Sequence, residues 1–279
     1  MSTAGQRSVP RVWVDGVESD SLPVGERACQ YGDGLFETLA VQAGEPRHWA
    51  RHLQRLSEGC RRLGLPPADG DSLLSEARRL CAGRERAVLK ILWSRGAGGR
   101  GYRPEPGMMP RRVLSCLPWP DYPSDWCAQG VRVRWCETRL GLQPLLAGIK
   151  HLNRLEQVLA RAEWNDPQIQ EGLMQDIEGR VIAGTFSNLF IERSGVLYTP
   201  ELTRCGIAGV TRARVIDAAD KAGLPVRIGA LSREAVEGAD ALFLCNALMG
   251  LAPVRELDGR PWPVGELTRV LQVRVEDME

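Results

Sequence analysis

A primary amine that reacts must first lose its proton, and the residue type able to do so is scarce in this chain. Only Lys90, Lys150 and Lys221 are lysine among the 36 basic residues, which leaves 33 arginines. Arginine stays protonated at any working pH, whereas a desolvated lysine amine can act as nucleophile or base. Lys150 stands in "LAGIKHLNRLEQ", after Ala147-Gly148-Ile149 and before His151. The pattern places it where a loop enters a helix running from about Leu152 to Trp164. Most lysines are solvated surface charges, so the position alone leaves both readings open. Lys90 lies inside the strand-like "VLKIL", and Lys221 lies near a helix C-terminus, where its charge suits the helix dipole.

Three further stretches have residue types that suit binding. In "GIAGVTRARVIDAA" a glycine and Thr211 open a helix, so free N–H groups and the helix dipole favour an anion there; a plain N-cap reads equally well. "QYGDGLFET" sets two glycines around an aspartate and leads into a strand, which is a turn on its own terms. "SRGAGGRGYRP" is a glycine-rich loop of the type that cradles anions, or a flexible connection. The three histidines (48, 52, 151) and eight cysteines are scattered without metal-ligand spacing, so no metal site is expected and the thiols read as reduced and mostly buried.

The elements that must hold these residues follow from periodicity. "RVWVDG" is a strand entering a hairpin turn at Asp15-Gly16, and "FETLAVQAGEPRHW" repeats the pattern. Leu53, Leu56, Cys60 and Leu63 recur at helical spacing over Trp49 to Leu63, closed by Gly64, and a second helix covers Asp71 to Cys81. "RAVLKILWSRG" and "RRVLSCLPW" read as strands. Prolines crowd between Pro104 and Asp125, which places a smaller N-terminal α+β domain at 1–117, a linker at 118–126 and a larger domain at 127–279. The second half gives strands at "VRVRWCETRL", "EGLMQDIEG", "RVIAGTFSNLFIERSG", "VLYTP" and "ALFLCNA", and a helix over Thr211 to Ala222.

Composition narrows the function classes. A net charge of +1 with 25% charged residues gives no bias toward nucleic acid. No apolar run approaches the roughly 20 residues of a membrane span, and the opening "MSTAGQRSVPRVWVDG" holds no signal-peptide core, so a cytoplasmic protein without membrane or nucleic-acid partners is expected.

"KHLNRLEQVLARAEW" together with "YGDGLFETLAV", "HLQRL", "SRGAGGRGY", "SNLF", "GVTR" and "NALMG" closely resembles the fold-type IV pyridoxal-phosphate enzymes, collinearly from about Trp13 to Val254. Within that group "AGIKHLNRLEQ" and "CNALMG" resemble the aminodeoxychorismate lyases. The resemblance implies an α+β fold of the D-amino-acid aminotransferase type. It pairs a small N-terminal α/β domain with a larger C-terminal domain that has a β-barrel-like sheet and helices. It implies a homodimer, with pyridoxal 5'-phosphate between the two domains and Lys150 as its Schiff-base partner and acid/base. By the same resemblance Arg55, Val210, Thr211, Ala247 and Leu248 hold the phosphate, and Tyr31 and Thr38 line the mouth. Arg100 is taken as a carboxylate contact, since guanidinium pairs with carboxylates through two bonds. The implied reaction converts 4-amino-4-deoxychorismate to 4-aminobenzoate and pyruvate, a step of folate synthesis. The alternatives are a fold-type IV aminotransferase for D- or branched-chain amino acids, and a cofactor-binding homologue with little turnover.

One position departs from the pattern. Aligning on "NLF" puts Ala183 where such enzymes carry the glutamate that faces the pyridine nitrogen, five residues before Asn188. That carboxylate keeps the nitrogen protonated and the ring electron-withdrawing. Glu178 is the nearest acid in sequence, but it falls in a hairpin turn at the wrong end of the strand.

Overall fold

The computed structural model describes residues 10–123 and 125–276. Residues 1–9, where no signal-peptide core is read, lie outside the described residues, as do Ser124 and residues 277–279. The chain divides into two compact units, one running to Asp121 and including Ile149–Asn153, the other formed by Tyr122–Gly148 and the chain from Arg154 onward.

The first unit contains β1 (Arg11–Val14), β2 (Val17–Glu18), α1 (Arg27–Tyr31), β3 (Gly34–Gln42), β4 (Glu45–Pro46), α2 (Trp49–Leu63), α3 (Gly70–Cys81), β5 (Arg86–Ser94) and β6 (Arg111–Pro118). Its strands form one antiparallel sheet in the order β2-β1-β6-β5-β3-β4. The β1–β2 hairpin turns through Asp15 and Gly16, both at positive φ, as a two-residue hairpin turn demands. Strand β3 alternates: Leu35, Glu37, Leu39 and Val41 are buried, while Phe36, Thr38 and Ala40 are half-buried. Helix α2 buries His52, Leu56, Gly59 and Cys60. A Cβ on Gly59 would stand 2.7 Å from the Leu35 side chain, so the glycine lets α2 lie close on β3.

The second unit begins with α4 (Trp126–Gln129), β7 (Val131–Leu140), α5 (Leu155–Arg161), β8 (Glu171–Asp176), β9 (Val181–Gly184), β10 (Asn188–Arg193) and β11 (Val196–Pro200). It continues with α6 (Val210–Lys221), β12 (Val226–Gly229), α7 (Arg233–Glu237), β13 (Ala241–Asn246), β14 (Gly250–Leu257), β15 (Arg260–Pro261) and α8 (Glu266–Glu276). The mixed sheet runs β12-β11-β10-β13-β14-β7-β8-β9, with β15 on β14, and curls into a half-barrel. Its central strands read as continuous apolar runs because both faces are covered. Phe190 and Phe243 stack at 4.9 Å against α6 and α8 on one face, while Leu189, Leu242 and Leu244 join Val131, Val133 and Trp262 on the other.

Two sequence expectations are corrected. The helix expected from Leu152 to Trp164 spans only Leu155–Arg161. Residues 150–152 are extended instead, because β4 covers only Val41 and Gln42 of the β3 edge and leaves Gly34 to Phe36 to be paired. Phe36 N–H donates to Lys150 O at 2.9 Å and Leu152 N–H to Gly34 O at 3.0 Å. The run "RVIAGTFSNLFIERSG" is two strands, β9 and β10, joined by a turn at 185–187.

Candidate active site

Lys150 therefore leaves an extended segment rather than a helix start. Its Nζ lies 4.1 Å from the centroid of the Phe36 ring, and Lys90 Nζ lies 5.6 Å from the same centroid. The two glycines of "QYGDG" seat this segment. Gly32 adopts φ 64 at the end of α1, where a Cβ would fall 2.6 Å from Asn153 Oδ1. A Cβ on Gly34 would meet Trp93 O at 2.7 Å and Leu152 at 2.9 Å. Between them, Asp33 accepts from Arg27 Nε at 2.8 Å and Arg95 Nε at 2.7 Å, which pins the turn.

Thr38 stands two residues beyond Phe36 on the same face of β3, opposite Lys90 in register. Tyr31 closes α1; its hydroxyl accepts from Gly101 N–H at 3.3 Å and its ring meets Tyr102 edge-on. Arg27 donates to the carbonyls of Gly101 and Tyr102, so the glycine-rich loop is tied down through its carbonyl oxygens. Arg100 is exposed on that loop.

Arg55 projects from α2 to Glu37, pairing through Nε to Oε1 at 2.8 Å and Nη2 to Oε2 at 2.5 Å. His52 Nδ1 lies 2.6 Å from the same Oε2. Burial pushes the Glu37 carboxyl up, but the Arg55 charge and its hydrogen bonds, helped by His52, outweigh it and hold the pKa down to about 2. Burial likewise pushes the His52 imidazole below its usual range; its bond to Glu37 opposes this, and the charges of Arg55 and Lys150 add to it.

In the second unit α6 begins at Val210, with Thr211 buried one residue on and Gly209 as an N-cap lacking a side-chain cap. A Cβ at Gly209 would fall 2.0 Å from Asn188 Oδ1, and Asn188 Nδ2 donates to Ile207 O at 2.9 Å. Gly148 joins the same loop, donating to Gly206 O and accepting from Ala208 N–H, both at 2.9 Å. Lys150 follows two residues later in the chain. Ala247 and Leu248 follow β13, where Asn246 Oδ1 accepts the Leu248 N–H at 2.9 Å in a local turn. Glu178 falls in the turn the sequence leads one to expect, and there it is paired with Arg180 and Arg204.

Residues 34–257 match the family described as amino-transferase class IV. The chain belongs to that family. This class IV chain is 37% identical over 264 residues to an aminodeoxychorismate lyase of Vibrio harveyi, covering 93% of this chain and 97% of that protein. The crystal structure of 4-amino-4-deoxychorismate lyase from Pseudomonas aeruginosa is similar at 52% identity with a TM-score of 0.92, covering 96% of this chain and 98% of that one. The branched-chain amino acid aminotransferase structure of Escherichia coli gives 26% identity and a TM-score of 0.82, over 96% and 94%.

Ala183 is the position at which the resemblance leads one to expect a glutamate. It is 7% exposed in mid-β9, paired in register with Met174 and clustered with Cys136, Leu140, Trp164 and Cys205. A buried carboxylate beside the end of this strand is Glu171, which sequence reasoning passed over. Glu171 accepts from Thr185 N–H and Oγ1, Phe186 N–H and Ser187 Oγ, and so holds the β9–β10 turn. Burial pushes its pKa up against those hydrogen bonds. The available signal was an acid opening a strand that is buried along its whole length. Glu37 and His52 were missed in the same way: each looked like one polar residue within an apolar period.

Proposed function

We propose that the chain is a pyridoxal-phosphate-dependent aminodeoxychorismate lyase, which converts 4-amino-4-deoxychorismate to 4-aminobenzoate and pyruvate. The observation that carries the reading is the 52% identity to the Pseudomonas aeruginosa lyase over 96% of this chain, through the segment holding Lys150. The residues present fit the cofactor. A helix N-terminus without a side-chain cap suits a phosphate, and an amine on a half-buried extended segment suits its carbonyl carbon. Pyridoxal phosphate, when bound, supplies an electron sink for a carbon acid.

The protein's own groups do the rest. Arg55, the N–H groups of Val210 and Thr211 with the Thr211 hydroxyl, and the Ala247-Leu248 turn are the proposed phosphate holders. Lys150 anchors the cofactor and, once displaced by the substrate amine, takes the ring proton on Nζ. The C–H electron pair becomes the new ring double bond as the adjacent C–O bond breaks, the C–O pair leaving on the oxygen of enolpyruvate, whose methylene carbon then takes a proton to give pyruvate. Aromatisation drives the step, so the reaction depends less on a strong electron sink than transamination does, and a chain with Ala183 in place of a carboxylate is expected to be slower rather than inactive. Tyr31, Thr38 and Arg100 are the proposed substrate contacts, with Arg100 exposed to meet a carboxylate.

The same reading makes the protein a cytoplasmic homodimer. Supporting this, Leu155, Val158 and Leu159 form an apolar stripe on α5 that is 76%, 59% and 61% exposed in the single chain. None of the eight cysteines is in a disulfide, and no helix among the described residues is long and apolar enough to cross a membrane.

The deciding experiment loads the purified protein with pyridoxal phosphate and follows pyruvate release from 4-amino-4-deoxychorismate without a 2-oxo acid. Release without that second substrate is expected. Turnover of D- or branched-chain amino acids only when a 2-oxo acid is added would replace the lyase reading with transamination.

A further inference from the structure

The buried row of β3 is Leu35, Glu37, Leu39 and Val41. A leucine at 37 would serve packing better, since desolvating a carboxylate costs several kcal/mol. Glu37 is 1% exposed, and what it touches explains its presence. Both oxygens face the edge of Arg55, at 2.8 and 2.5 Å, and His52 Nδ1 holds Oε2 at 2.6 Å. His52 and Arg55 are three residues apart on α2, so both reach one carboxylate. The carboxylate therefore cannot rotate, and the guanidinium is fixed along its Nε edge. An arginine side chain carries much rotamer entropy. In this arrangement that entropy is removed by the fold rather than by the ligand.

We propose that Glu37, backed by His52, is a positioning residue that presets the Arg55 guanidinium as the donor for the cofactor phosphate. This rests on Arg55 being a phosphate holder, as proposed above. Glu37 does not touch the cofactor; it acts through Arg55. With His52 neutral, Glu37 and Arg55 cancel in charge, so the cluster contributes orientation rather than net attraction. The alternative is a purely structural buried ion pair tying α2 to β3.

The two differ in what they do to phosphate recognition. Apoprotein is titrated with pyridoxal 5'-phosphate and with pyridoxal, which lacks the phosphate, and binding is read from the visible absorbance of the lysine-bound ligand. Inorganic phosphate serves as competitor. Glu37→Gln is expected to weaken pyridoxal 5'-phosphate by about threefold to tenfold, the cost of ordering one long side chain on binding. Pyridoxal should stay within about twofold of the parent, and competition by inorganic phosphate should weaken. His52→Leu should act in the same phosphate-selective direction, and His52→Asn, whose amide can replace the Nδ1 donor, should restore it. The His52 pair carries the test if Glu37→Gln does not fold. Equal losses for both ligands, or no change in a folded variant, overturn the proposal. A parent protein that takes up neither ligand instead overturns the cofactor assignment itself.

Discussion

The Nζ of Lys150 stands 4.1 Å from the centre of the Phe36 ring, and the backbone of Phe36 is hydrogen bonded to the backbone of Lys150. One residue thus fixes both the root and the head of the amine. The ring contact needs only a cation, whereas the proposed chemistry needs an amine that can lose its proton. Lys150→Arg should therefore keep stability within about 1 kcal/mol, because guanidinium also stacks on aromatic faces. Turnover should fall by on the order of 10²–10⁴, the contribution of a lost acid/base, with no covalently held cofactor after dialysis. A melting curve, an absorbance spectrum and a pyruvate assay check this together. Retained turnover in the arginine variant would remove Lys150 from the chemistry.

Acid should destabilise the first unit in two stages. Against the upward push of burial, the Arg55 guanidinium and His52 hold the Glu37 carboxyl down to about 2 in the folded protein, from an ordinary 4.5. Its stabilising contribution is complete above pH 4.5 and is lost as pH falls through about 2. By linkage it is worth roughly 3 kcal/mol at neutral pH. His52 is shifted below its usual 6.5, so the unfolded chain binds more protons than the folded one and stability begins to fall below pH 6.5. Urea denaturation at stepped pH should show both stages in the parent. Glu37→Gln should lose the lower one, and an unchanged acid slope in that variant would falsify the assignment.

How far these groups were legible in the sequence depended on whether their signal was local. The α2 helix, the Asp15-Gly16 turn and the glycine opening of α6 carry their cause within a few residues. Lys150 stood out by composition, but its backbone was misread as a helix entry. The open β3 edge that pairs with it lies more than a hundred residues away, and no local period encodes it. Glu37, His52 and Glu171 were invisible for the complementary reason. A polar residue in an apolar row looks like an exception until the partners from other elements are placed: α2 for Glu37, the 185–187 turn for Glu171. Glycines 32 and 34 were seen as a turn; their closer duty, leaving space for Asn153 and Leu152, is set by the tertiary approach.

The exposed stripe on α5 gives the homodimer proposal a specific test. Leu155, Val158 and Leu159 sit at i, i+3 and i+4, so one face of the helix meets water in the single chain. Fully burying such a side chain stabilises by about 1.5–3 kcal/mol. Leu155→Lys with Leu159→Lys should weaken self-association at least thirtyfold, or about 2 kcal/mol, and give monomer in sedimentation velocity at micromolar concentration. A dimer unchanged by both lysines would mean that another face holds the copies together.

Ala183 sets the last expectation, because stability and rate should move in opposite directions there. The position is buried in an apolar cluster with Cys136, Leu140, Trp164, Met174 and Cys205. In Ala183→Glu without cofactor, a carboxylate placed there is desolvated, which costs several kcal/mol. The apoprotein should melt lower by about 2–4 °C for each kcal/mol lost. With pyridoxal phosphate bound, the pyridine nitrogen gives that carboxylate a protonated partner, so the gain in melting temperature on loading should be larger in the variant than in the parent. If the missing carboxylate limits the electron sink, pyruvate release should rise by about tenfold, or 1.4 kcal/mol in the barrier. A variant that loads fully, gains nothing on loading and turns over no faster would show that Ala183 does not face the cofactor nitrogen.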